Sequence, residues 1–148
     1  MKKIQIKGLL VAGLLLLAGH VIGQDVVGKW KTIDDESGKQ KSIVQLFLSG
    51  NQLYGKVLET WDDDGVTPTD KLCDKCTGAL YNKKVHGMII VQGITKSDNI
   101  WKGKKGILDP KNGKFYDVKI WLEDANTLNV RGSIGPIGRK QTWYRVKE

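Results

Sequence analysis

The chain has 148 residues, of which 40% are hydrophobic and 27% charged, with a formal net charge of +8 at pH 7. That length bounds it at one domain, large enough to bury a core without relying on many crosslinks. Part of the positive charge sits in the first residues, and where those residues send the protein decides which partners the charge can meet.

The chain begins MKKIQIKGLLVAGLLLLAGHVIGQ. Lys2, Lys3 and Lys7 form a basic head, Leu9 to Ala18 an apolar run, and Val21 and Gly23 place small residues at −3 and −1 before Gln24. This three-part plan is that of a secretory signal peptide, so residues 1–23 read as a leader and 24–148 as the mature domain. The apolar run is shorter than the ~20 residues of a membrane helix, so no integral span is expected once the leader is cleaved. A retained N-terminal anchor is the alternative. The absence of a cysteine after the run argues against a lipidated one. Losing three leader lysines lowers Lys+Arg from 24 to 21 against 16 acids, and the net charge from +8 to +5. An exported protein, periplasmic or secreted, has no nucleic acid to meet. Its basic surface faces lipid head groups, lipopolysaccharide phosphates or acidic glycans, or simply keeps it soluble.

After Gln24 no segment carries a sustained 3.6-residue apolar period, and alternation punctuated by glycine argues for strands. GKWKTI (28–33) opens the domain, and SIVQLFL (42–48) follows a polar turn. The sequence SGNQ then turns the chain into LYGKVLE (53–59). Residues 60–84 are the longest irregular stretch. VHGMIIVQGI (85–94) resumes strand character and NIWKGKKGILD (99–109) continues it with glycine kinks. Asp109-Pro110 and Asn112-Gly113 make DPKNGK a strong turn, because proline fixes one φ and Asn-Gly tolerates positive φ. In KFYDVKIWL (114–122), Tyr116, Val118, Ile120 and Leu122 alternate with Phe115, Asp117, Lys119 and Trp121. TLNVRGSI (127–134) and GRKQTWYRV (138–146) complete about eight strands. Hairpin-length links favour antiparallel neighbours. The expected fold is therefore an all-β, up-and-down antiparallel barrel, with a two-sheet sandwich as the alternative.

Gly28 and Trp30 lie near the start of the first strand, and Trp143 and Arg145 near the end of the last, which are neighbours in such a barrel. Gly28 allows a close bend at the barrel floor. Trp30 can plug that end with Arg145 stacked on its ring. This G-x-W with a late arginine resembles the structural signature of lipocalins and their calycin relatives. A wider set occurs in order: GKW, LYGKV, CDKCTG, VHGMIIVQGI, W-x-G at 101–103, ILDPKNGKFYDVKIWL and LNVRGSIGPIGRKQTWYRV. Together they resemble the bacterial exported family catalogued as domain of unknown function 2147, over nearly all of residues 24–148. The segment WKGKKGIL departs from similar sequences, which have a shorter glycine link. The resemblance implies a small lipocalin-like barrel behind a signal peptide and carries over no catalytic residue.

Cys73 and Cys76, in KLCDKCTG, are the only cysteines. An oxidising compartment and an even count favour a disulfide, whose small loop would stabilise by only about 2 kcal/mol and so shapes the 60–84 stretch rather than the barrel. A zinc site would need further ligands such as Asp70, Asp74, His86 or a second copy's cysteine pair. A redox centre would need an activating helix N-terminus that nothing here predicts. WDDDG (61–65) lacks the alternate acids and twelfth-position glutamate of a calcium loop, so it reads as an acidic turn. No metal and no cofactor is expected. Catalytic constellations are equally sparse. His86 is the only histidine after the leader, Ser133 in GSIG lacks the nucleophile-elbow context, and the spacing of Glu59 from Asp109 is not legible. The leading expectation is a binding protein for a small apolar or amphipathic, lipid-like ligand, rather than an enzyme. Trp61, Trp101 and Trp121 are the candidate ligand contacts. The alternatives are a solid-core interaction or structural protein of the envelope and, below that, a hydrolase of an envelope substrate.

Overall fold

The computed structural model describes residues 25–148, so the leader and its cleavage site lie outside the described residues. Eight strands follow one another: β1 Gly28–Ile33, β2 Gln40–Ser49, β3 Gln52–Thr60, β4 Ile89–Ser97, β5 Ile100–Asp109, β6 Lys114–Asp124, β7 Thr127–Ile134 and β8 Ile137–Arg145. Each pairs antiparallel with its sequence neighbours, and β1 also pairs with β8, closing the sheet into a barrel. This is the expected up-and-down order, and closure excludes the two-sheet sandwich. The only helical element among the described residues is one 3-10 turn, Gly78–Leu80.

The alternation read from β6 is the observed one: Val118 and Ile120 are buried inside while Phe115 and Lys119 are exposed outside. One element differs from expectation. β4 starts at Ile89 rather than Val85, because Val85–Met88 is a turn, with Gly87 at φ 84° and the Met88 N–H donating to the Val85 carbonyl. WKGKKGIL continues as strand, kinked at its glycines as expected. β5 runs through it, and a register break between Gly103 and Ile107 absorbs the extra residues.

The barrel has a filled end and an open end. At the filled end Trp30, Leu46, Leu53, Ile120 and Leu128 are fully buried. Glycines let the walls close on this core. A Cβ on Gly55 would stand 2.8 Å from Val91 Cγ2 and 3.0 Å from Leu46 Cδ2, and one on Gly103 or Gly106 would stand 2.7 Å from Ile94 Cγ2. Such separations are below van der Waals contact, so any larger residue would force the walls apart. The opposite end carries the long 61–88 connection and the turns after β1, β5 and β7.

Candidate functional site

At the filled end, Trp30 and Arg145 are direct cross-strand partners. The guanidinium carbon lies 4.3 Å from the Trp30 ring centroid, and the indole Nε1 donates to the Val26 carbonyl at 2.8 Å. Arg145 also donates from Nε to Ala125 O (2.7 Å), from one terminal nitrogen to Val27 O (3.0 Å) and from the other to Asp25 O (2.7 Å). One side chain thus ties the first strand, the β6–β7 turn and the segment before β1 together. Gly28 has φ 135°, and a Cβ there would stand 2.8 Å from an Arg145 terminal nitrogen. Glycine is required on both counts: the backbone conformation disfavours L side chains and the space is taken.

At the open end lies a cavity of about 1060 Å³. Its floor and walls are apolar, with Val57, Ile90, Ile107, Val130 and Trp143 facing in. Halfway up, Tyr116 and Gly132 line it. A Cβ on Gly132 would meet Tyr116 Cβ at 3.5 Å and Ile107 Cγ2 at 4.0 Å, ordinary contact distances that leave room for a side chain. The rim carries both signs of charge, including Asp34, Lys41, Asp63, Lys111 and Arg139. Several rim groups are already engaged. Asp35 forms a salt bridge with Arg139 Nε at 3.1 Å and accepts from Gln141 Nε2 at 3.2 Å, while Gln141 Oε1 accepts from Trp143 Nε1 at 3.3 Å. These side-chain links join the β1–β2 turn to β8 beyond the short β1–β8 seam, whose paired residues are Trp30 with Arg145 and Lys31 with Tyr144. Asp34 lies below its usual pKa chiefly because the Ser37 backbone N–H donates to its carboxylate.

The 61–88 connection borders this mouth. The Asp64 carboxylate accepts from the Val66 and Thr67 backbone N–H groups (2.8 and 2.9 Å) and from the Thr67 hydroxyl, which together hold its pKa down at about 2. WDDDG is thus an acidic turn satisfied by its own chain. Among the described residues no group of three or more His, Cys, Asp or Glu is arranged to hold a metal ion. Cys73 and Cys76 are joined in a disulfide and both buried. The connection packs against the β5–β6 turn, where Cys73 Sγ lies 3.4 Å from the Pro110 carbonyl. A Cβ on Gly113, at φ 72°, would run into the Lys75 carbonyl, so Asn112-Gly113 needs its glycine for turn and packing alike.

The structure separates the three candidate tryptophans. Trp61 stands at the cavity mouth. Trp101 does not reach the cavity: the register pairs it with Ile120 in the filled half, where it is 7% exposed beneath the Lys96 ammonium. Trp121 does not reach it either, because alternation along β6 turns it to the outer wall. Trp143, read from sequence as part of the barrel end, is on the cavity floor instead. It lies one inward step above Arg145, and strand period alone was the signal for it. His86 is exposed and does not line the cavity.

A closed antiparallel barrel of eight strands, filled at one end by a tryptophan under an arginine and hollow at the other, is a lipocalin-like barrel. The chain belongs to the family of uncharacterized proteins conserved in bacteria, DUF2147, whose family profile matches residues 28–145. Among solved structures it is similar to protein HP1028 from the human pathogen Helicobacter pylori, described as belonging to the lipocalin family. The TM-score is 0.69, with 22% sequence identity and 84% of each chain covered. No curated protein matches this chain significantly.

Proposed function

We propose that this is an exported binding protein whose upper cavity holds one small amphipathic, lipid-like molecule. The cavity itself carries the reading. About 1060 Å³ is at the upper end of the volumes that hold single small ligands, and it combines an apolar floor with a charged rim. An eight-stranded barrel can be filled or can take one small ligand. Here the lower half follows the first course and the upper half the second. The apolar body of a ligand would rest on Val130 and Trp143, and its polar end would meet the rim near Trp61 and Lys111. Export is supported by the leader-like residues 1–23 and by the Cys73–Cys76 disulfide, a bond that persists in oxidising compartments. A barrel solid throughout does not fit a cavity of this size.

The test is titration with an anilinonaphthalene sulfonate dye, an amphipathic fluorophore that brightens in apolar sites. Gly132→Phe should fill the middle of the cavity and weaken dye binding at least about tenfold, since a ligand cannot share the space of a packed ring. Its thermal unfolding midpoint should stay near that of the parent chain. Equal dye affinity in both proteins would remove the cavity as the binding site.

A further inference from the structure

The strand registers assemble a feature on the outer wall that has no part in the cavity. Lys102 of β5 is the cross-strand partner of Lys119 of β6, Lys119 of Arg131 of β7, and Arg131 of Lys140 of β8. Four cations therefore stand side by side on four adjacent strands, in one rung about 14 Å wide at ~4.8 Å per strand. The three lysines are exposed and Arg131 is half-buried. None of the four forms an ion pair among the described residues, whose salt bridges involve Lys29, Lys71, Lys84 and Arg139. The acid two residues from Lys119 on the same face, Asp117, accepts the Lys105 backbone N–H at 2.8 Å. Like charges directly opposite one another destabilise a sheet. The fold thus carries a repulsive row with no ion-paired partner among the described residues.

Two residues along the same face, about 7 Å toward the filled end, the character changes. Ile100 shares the outer face of β5 with Lys102 and is 37% exposed, and Trp121 shares the outer face of β6 with Lys119 and is half-buried. One rung further, Tyr144 of β8 is 46% exposed opposite Thr127. A row of cations beside a band of tryptophan, tyrosine and isoleucine, on a convex wall rather than in a groove, is complementary to a lipid surface. Anionic head groups take the ammonium and guanidinium groups, while the aromatic rings settle at the head-group level. A soluble acidic polymer would use the cations and leave the aromatic band without a role.

We propose that the β5–β8 wall docks this protein peripherally onto anionic lipid surfaces through Lys102, Lys119, Arg131 and Lys140. Docking supplies the ion-pair partners that the row lacks among the described residues. It is independent of what the cavity binds and of the direction from which a ligand enters.

The experiment is flotation of the purified chain with vesicles of phosphatidylcholine alone and of phosphatidylcholine with phosphatidylglycerol. Two triple variants carry equal changes in net charge: Lys102→Gln, Lys119→Gln and Lys140→Gln on the wall, and Lys56→Gln, Lys75→Gln and Lys83→Gln elsewhere. The parent chain should float with the anionic vesicles only, and less so at high salt. Each wall lysine contributes a factor of about five at a charged bilayer, so the wall triple should lose about 100-fold in vesicle affinity while the control triple retains most of it. The wall triple should also unfold at a higher temperature than the parent, since removing the row relieves its repulsion, which separates lost docking from lost folding. Equal losses in both triples would reduce the effect to net charge and overturn the proposal. So would failure of the parent to float with anionic vesicles, or capture by dextran sulfate that vesicles do not compete away.

Discussion

Arg145→Ala removes four interactions at once, and their geometry sets the size of the loss. The bond from Nε to Ala125 O is part-buried at 2.7 Å, while those to Val27 O and Asp25 O are on the exposed side at 3.0 and 2.7 Å. A hydrogen bond from a charged group contributes ~1.5–3 kcal/mol when shielded and less when water competes. We take about 1.5 kcal/mol for the first and about 0.5 kcal/mol for each of the others. The stack at 4.3 Å over buried Trp30 adds about 1 kcal/mol. The expected loss is about 3.5 kcal/mol, a large share of the ~5–15 kcal/mol that holds a domain folded. In urea unfolding followed by tryptophan fluorescence, an m-value near ~2 kcal/mol/M converts this into a midpoint lower by about 1.8 M. Arg145→Lys keeps the charge but cannot reach three carbonyls and cover the indole together, so it should recover less than half of the loss. A midpoint within about 0.3 M of the parent for Arg145→Ala would show that the barrel closes without this clamp.

Two further outcomes follow from the interior and from the acidic turn. Gly55→Ala places a methyl 2.8 Å from Val91 Cγ2 and should cost about 1–3 kcal/mol, whereas Gly132→Ala, with its nearest neighbour at 3.5 Å, should leave the urea midpoint almost unchanged. Equal effects would contradict the division into a filled and a hollow half. The Asp64 pKa is lowered from 3.8 to about 2, so its turn is fully held above pH 3.8 and is released as pH falls through about 2. The Thr67 amide resonance should titrate with that low midpoint, and a midpoint near 3.8 would mean the turn is not formed in solution.

Those elements whose signal is local were legible in the sequence. Alternation in KFYDVKIWL predicted which side of β6 faces inward, and turn chemistry at Asn112-Gly113 predicted where β5 ends. The G-x-W at one chain end and the arginine at the other read as neighbours because an up-and-down order makes them so. What the sequence hid depends on register. Trp101 has the same composition signal as Trp61, but pairing with Ile120 sends it into the filled half, whereas the outward turn of Trp121 follows from the alternation of β6 itself. The start of β4 was misplaced because Val85–Met88 has strand-like side chains on a turn backbone. The row of Lys102, Lys119, Arg131 and Lys140 is scattered over four segments of the chain and becomes one feature only once three registers are known. The cavity was least legible of all. Whether a barrel is hollow depends on the difference between a glycine that walls close on, as at Gly55, and one that leaves space, as at Gly132.

The most direct measurement is native mass spectrometry of the chain purified without detergent from the bacterium that makes it. A reproducible extra mass of a single lipid-like molecule is expected, retained by the parent chain and absent from Gly132→Phe. A bare polypeptide mass in every preparation, with no molecule taken up on incubation with the host's lipid extract, would contradict a ligand-holding barrel.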